Sequence, residues 1–177
     1  MKLKRRTAIV VAAAAGVSLL LAWVLAAWSR SAKVVGWNQE IQYDDFAFSV
    51  LGVRQAPTLG ADDDQQAARG VFYVVTLKVA NHARRVNYIF KPTSPILLDA
   101  SGREYVVSPQ GQRALDSAGS SGGCAAPIPP GSSCMTDVVF DVPADVSDPQ
   151  VRISTGGPLG DLLDDMFYGK LRIRLQP

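Results

Sequence analysis

Two cysteines, a single histidine and a few short acidic runs are the side chains of this 177-residue chain best suited to chemistry. Cys124 and Cys134 bracket the segment Ala-Ala-Pro-Ile-Pro-Pro-Gly-Ser-Ser. Outside the cytoplasm two such cysteines pair. Closing so short a loop contributes about 2–3 kcal/mol on chain-entropy grounds, and it ties a Ser/Gly-rich loop to the start of a strand at Met135. The rival roles, a redox switch or a soft-metal site using Met135, find no supporting ligand cluster. His82 is the only histidine, so histidine-rich metal sites are excluded and a Ser-His-Asp triad would hang on one turn residue. Asp62-Asp63-Asp64 offers oxygen ligands to calcium, but it lacks the alternating spacing and the glycine of a dedicated loop. It reads as a solvated acidic loop. Asp44-Asp45 reads as a turn pair. Gly119 to Gly123 has no following Lys-Ser/Thr helix start, so it is no phosphate cradle. No catalytic residue, cofactor-binding residue or metal ligand set is selected, and an enzyme is not expected.

The charge is divided along the chain. Lys2, Lys4, Arg5, Arg6, Arg30 and Lys33 precede Trp37 with no acidic residue among them; from Trp37 onward 12 Lys and Arg face 16 Asp and Glu. A nucleic-acid-binding domain concentrates positive charge on its folded part, whereas this one is mildly acidic, so no nucleic-acid partner is expected.

Thr7 to Trp28 is a run of 22 residues without a charged side chain. As a helix it would measure roughly 33 Å, enough for a hydrocarbon core of about 30 Å. The basic tip before it is positive-inside flanking, and Trp23, Trp28 and Trp37 suit the opposite interface. The expectation is a single-pass membrane protein: residues 1–29 a cytoplasmic basic tip and transmembrane anchor, 30–38 a tether, and 39–177 an extracytoplasmic domain. A cleaved leader with a small-residue site at Val24-Leu25-Ala26 is the competing reading, disfavoured because a leader's apolar core runs about 7–15 residues. Ala8, Ala12 and Gly16, and likewise Ala14, Ser18, Ala22 and Ala26, recur four apart, a spacing that lets a second helix approach closely.

After the tether come short strand-like segments divided by turn residues. Phe46–Val50 alternates and Leu51–Val53 follows; Pro57 to Gly70 reads as a loop. Val71–Ala80 begins apolar on both faces, as a central strand covered on both sides would. Asn81 to Arg85 is a turn. Val86–Phe90 and Ile96–Leu98 are strands interrupted by Pro92 and Pro95, and strands at Glu104–Val107, Met135–Val142, Pro149–Ser154 and Lys170–Leu175 complete the set. Leu159, Leu162, Leu163, Met166 and Phe167 follow helical spacing between Pro158 and Gly169. Asp161, Asp164 and Asp165 take the other face. This helix is expected to plug one end of the sandwich by its apolar side. The alternative is a partner-docking helix, and a membrane-surface role is disfavoured by the acidic polar face. The fold class is all-β, an antiparallel sandwich with one N-terminal transmembrane helix and one short C-terminal amphipathic helix.

Three segments carry a resemblance. Gly70-Val71-Phe72-Tyr73-Val74-Val75-Thr76-Leu77-Lys78-Val79-Ala80-Asn81 resembles the central strand of a bacterial extracytoplasmic immunoglobulin-like family of unknown function. Leu98-Asp99-Ala100-Ser101-Gly102-Arg103-Glu104-Tyr105 is similar to its D-x-x-G-x-x-Y turn. Pro130-Gly131-Ser132-Ser133 with Val138-Val139-Phe140-Asp141-Val142-Pro143 is similar to its P-G … V-F-D-V-P element. The resemblance spans roughly Tyr43 to Leu175 and implies an immunoglobulin-like sandwich, similar to the mycobacterial secreted immunoprotective sandwich, often membrane-tethered and without catalytic residues. The helical anchor in place of a lipidated Cys, the cysteine pair and the inserted helix depart from the common pattern and suggest specialisation. The functional expectation is a non-catalytic accessory protein that binds or supports another envelope or membrane protein. The alternative is a free-standing binding module for a ligand or cell-envelope polymer.

Overall fold

A computed structural model describes residues 15–19, 21–25, 32–61, 64–119, 123–154 and 158–175. Two sheets pack face to face. One has four strands in the order β2-β3-β4-β7, formed by β2 (Ile41–Tyr43), β3 (Phe46–Leu59), β4 (Gln66–Asn81) and β7 (Ser133–Val142). The other has five in the order β1-β9-β8-β5-β6, formed by β1 (Lys33–Val35), β5 (Pro95–Leu98), β6 (Glu104–Val106), β8 (Gln150–Ile153) and β9 (Leu171–Arg174). All pairings are antiparallel except β1 with β9.

The alternation within each strand fills the core. Tyr73, Val75, Leu77 and Val79 of β4 join Phe48, Val138, Phe140, Leu97, Val151 and Ile173 between the sheets. Phe72 and Val74 point to the opposite face, where they meet Ala114 and Leu115 of helix α1 (Pro109–Ser117). The central strand is therefore covered on both sides, as its composition demands. Ser108 caps α1 by accepting from the Gly111 N–H at 3.2 Å, and Pro109 stands in the first turn, a start signal by residue type. Gly111 lets α1 lie close, since a Cβ there would come within 2.6 Å of Val139 and 2.9 Å of Phe72.

Several segments differ from expectation. Pro57 to Gly70 is largely hairpin: β3 and β4 stay paired to Leu59 and Gln66, and Gly60 (φ 107°) turns the chain. The pairing tolerates Pro57 through a register shift between Ala56 and Thr58. Val86–Phe90 forms no strand, only an isolated bridge between Tyr88 and Ile128, because Asn81 holds this loop by side-chain bonds. β1 lies within the stretch read as tether, its Lys33 opposite Leu171. Trp37 is half-buried on the turn after β1, where the Asn38 N–H reaches the Val50 carbonyl at 3.1 Å. Trp37, read as an interface residue, is thus half-buried against the sandwich.

Much of the apolar run 7–28, with Ala8, Ala12, Ala14 and Ala26 of the small-residue spacing, lies outside the described residues. Residues 15–19 and 21–25, which hold Gly16, Ser18 and Ala22, are helical, and Val17, Leu19, Leu21, Trp23 and Leu25 are exposed. Among the described residues no helix is long and apolar enough to cross a membrane.

Candidate functional site

One end of the sandwich gathers the features that sequence reasoning placed apart. There β2 ends, β3 begins and β4 ends: Phe46 faces Asn81 in the ladder. Pro95 of β5 faces Ile153 of β8, and Lys33 of β1 faces Leu171 of β9. The Tyr43 hydroxyl lies 3.4 Å from the Leu171 carbonyl, and its ring meets Tyr168 edge-on at 5.9 Å. This pole is where the N-terminal segment joins the fold.

Asn81, fully buried, is the hub of the pole. Its Nδ2 donates to the carbonyls of Val86 at 2.8 Å and Ile128 at 2.9 Å, and its Oδ1 accepts from the Ala83 N–H at 3.0 Å. Its backbone accepts from the N–H of Gly131 (φ 72°) at 2.8 Å, which gives the Pro130-Gly131 element its role. In the sequence Asn81 reads only as the start of a turn. Nearby, Cys124 and Cys134 are joined by a disulfide with Cα atoms 5.4 Å apart, and Cys124 is part of the core. His82 is exposed, its Nε2 lying 3.3 Å from Glu40. Asp44 (φ 52°) and Asp45 make the turn between β2 and β3. Asp62 and Asp63, and most of the Gly119–Gly123 segment, lie outside the described residues. Among the described residues no three His, Cys, Asp or Glu side chains are grouped as metal ligands.

Helix α2 (Pro158–Phe167) lies over the outer face of the five-stranded sheet, with the opposite face inward from the one expected. Leu159, Leu163 and Phe167 are 77%, 51% and 73% exposed, while Leu162 and Met166 are half-buried. The reason lies in the sheet. Val151, Ile153, Leu171 and Ile173 point into the core, so the intervening Arg152 and Arg172 point outward under the helix. Arg152 bonds Asp161 at 2.9 Å and Glu104 at 3.1 Å, and Asp161 also accepts from the Ser154 hydroxyl at 2.9 Å. The acidic face is thus drawn down onto cations, leaving the apolar residues spaced by four turned outward. Neither the plugging role nor the objection drawn from an exposed acidic face holds: Asp161, Asp164 and Asp165 line a cleft instead.

That cleft, about 680 Å³, runs between α2 and the sheet, bounded also by Tyr43, Ile96, Arg152, Lys170 and Arg172. Burial pushes the Asp165 carboxyl up, against the opposing pull of Lys170 and Arg152. It pushes the Tyr43 phenol up as well, helped by Asp165 and Asp164. Burial lowers the Arg152 pKa, but its bonds to Asp161 and Glu104 outweigh this and hold it above its ordinary value.

At the far pole, the Asp99 turn shows why its residues occur together. Asp99 Oδ1 accepts from the Ser101 N–H and hydroxyl at 2.9 and 2.6 Å and from the Arg103 N–H at 2.9 Å. Its Oδ2 accepts from the Tyr105 hydroxyl at 3.0 Å. Gly102 (φ 78°) supplies the left-handed residue the turn needs.

These motifs and the two-sheet fold define a class, the β-sandwich domains. Residues 35–161 match DUF4352, a domain of unknown function, and the chain belongs to that family. Its structure is similar to a conserved hypothetical protein from Bacillus anthracis, with 17% identity, a TM-score of 0.54, and 67% of this chain and 88% of that one covered. It is also similar to the secreted protein MPT63 from Mycobacterium tuberculosis, with 15% identity, a TM-score of 0.55, and 82% of this chain and 99% of that one covered. These likenesses are of fold. No curated protein matches the chain.

Proposed function

We propose that this chain is a single-pass membrane protein whose immunoglobulin-like sandwich stands on the extracytoplasmic face and, without catalysis, binds or supports another envelope or membrane protein. The observation that carries the reading is how the chain joins the fold. Lys33 is already fixed in the sheet by pairing with Leu171, its N–H bonded to the Lys170 carbonyl at 2.8 Å. Only five steps of chain separate it from Trp28, a reach of about 17 Å when fully extended. A domain held that close works on neighbours at the membrane face. Exposure of Val17, Leu19, Leu21, Trp23 and Leu25 on the N-terminal helical residues supports the anchor, because an all-round apolar helix suits lipid.

The test is extraction of native membranes in mild detergent, native separation, and mass spectrometry of the co-migrating band. Stoichiometric company with defined membrane proteins is expected. Migration alone, at the mass of one or two chains, would overturn the accessory role. It would favour the second reading, a binding module for a ligand or envelope polymer, for which the cleft bounded by Arg152, Lys170 and Arg172 is the specific observation.

A further inference from the structure

We infer that the pole at which the N-terminal segment joins the sandwich rests on the lipid surface, with the α2 ridge and the 82–92 loop seated among the headgroups. The inference rests on the anchored reading above and adds the domain's orientation and a second, lipid partner surface.

Two separate elements supply the contact. On α2, Leu159, Leu163 and Phe167 form a ridge on one side of the helix, with the helix's own acidic residues turned to the sheet. On the loop between β4 and β5, Val86 and Ile89 are 55% and 67% exposed. Among the described residues from β1 onward, seven large hydrophobic side chains are more than half exposed, and five of them are these; Val106 and Met135 are the others. Such clustering at one end is unlike the scatter of single apolar residues normal on a soluble surface.

The two elements share a pole by strand register. The loop leaves β4 at Asn81, opposite Phe46, and its Tyr88 stacks on Phe46 at 4.1 Å between ring centres. It returns to β5 beside Ser154, whose N–H bonds the Ser94 carbonyl at 2.7 Å. α2 follows Ser154 in sequence and ends three residues before Lys170, the residue bonded to Lys33.

The occupant is a bilayer because the membrane-spanning segment ends there, within the short reach of the Trp28–Lys33 link. Arg84, Arg85 and Lys91 are exposed on the loop and can bond lipid phosphates; Asp44, Asp45 and Glu40 nearby balance their charge. An interfacial helix with its apolar face down removes that face from water.

The test places the photo-crosslinker p-benzoylphenylalanine in the full chain by Phe167→p-benzoylphenylalanine, and separately at Ile89, Trp23 and Arg103, the last exposed at the far pole. Each chain is reconstituted into vesicles of phosphatidylethanolamine and phosphatidylglycerol, irradiated, and analysed by mass spectrometry; native membranes are treated in parallel. Lipid adducts at 167, 89 and 23, and none at 103, are the expected result. Lipid adducts at 23 with none at 167 and 89 would overturn the inference while leaving the anchor standing. So would protein adducts at 167 and 89 in native membranes, which would give the ridge to a protein partner. No lipid adduct at 23 would overturn the anchored reading itself, and this inference with it.

Discussion

Asp99 gathers bonds from Ser101, Arg103 and Tyr105 onto one carboxylate, and together they hold its pKa at about 2, below the ordinary 3.8. A carboxylate with a depressed folded-state pKa contributes stability above its unfolded value, and that contribution is lost as pH falls through the folded one. The variant Asp99→Asn is therefore expected to melt below the parent chain at pH 7, with the gap closing between about pH 4 and pH 2. Thermal unfolding at a series of pH values checks this; a gap independent of pH would assign the effect to turn geometry alone. Asn81 makes a different case. Replacing it by Ala removes a donor from the Val86 and Ile128 carbonyls, the latter keeping the Tyr88 N–H, and leaves the buried Ala83 N–H without its acceptor, so Asn81→Ala is expected to cost about 1–3 kcal/mol in denaturant unfolding. A loss below half a kcal/mol would contradict its role as hub. Asp99 was legible in the sequence because all its partners lie within six residues. Asn81 was not, because Ile128, its distant partner, is 47 residues away.

At the scale of elements, α2 was legible and its orientation was not. The spacing of Leu159, Leu162, Leu163, Met166 and Phe167 specifies a helix with an apolar face, but which face turns inward depends on Arg152 and Arg172. These belong to β8 and β9, whose outward faces are set only once the strands pair. The β3–β4 hairpin was legible at its base and lost towards its tip, where Pro57 and the Gly60 turn imitate a loop. α1 carries its own start signal in Ser108-Pro109, and the outward Phe72 and Val74 already required a cover there. If Arg152 holds α2 by its acidic face, Arg152→Ala should free the helix without unfolding the sandwich. Hydrogen exchange is expected to accelerate across residues 158–167 while β4 and β7 keep their protection. Unchanged exchange in α2 would show that the helix is held by Leu162 and its neighbours instead.

At the scale of the whole molecule, the sequence divides into a basic, apolar N-terminal stretch and a mildly acidic remainder, and the fold adds a direction. The pole beside the N-terminal segment carries the exposed α2 ridge, Val86, Ile89, Arg84, Arg85 and Lys91. The opposite pole carries the Asp99 turn. The two-sheet fold was legible from strand spacing and the family motifs. The polarity of its surface was not, because it arises from residues distant in sequence that register brings to one end. The central claim is that the sandwich is held at the outer membrane face by its own N-terminal segment. Its most direct test is protease treatment of intact bacterial cells producing the chain with a C-terminal tag, with the mass of the tagged species determined in membrane and medium fractions before treatment. The account predicts a full-length chain confined to membranes and a tag lost to external protease. A shortened chain, cut near Ala26 and free of the membrane, or a tag protected until the cells are broken, would contradict it.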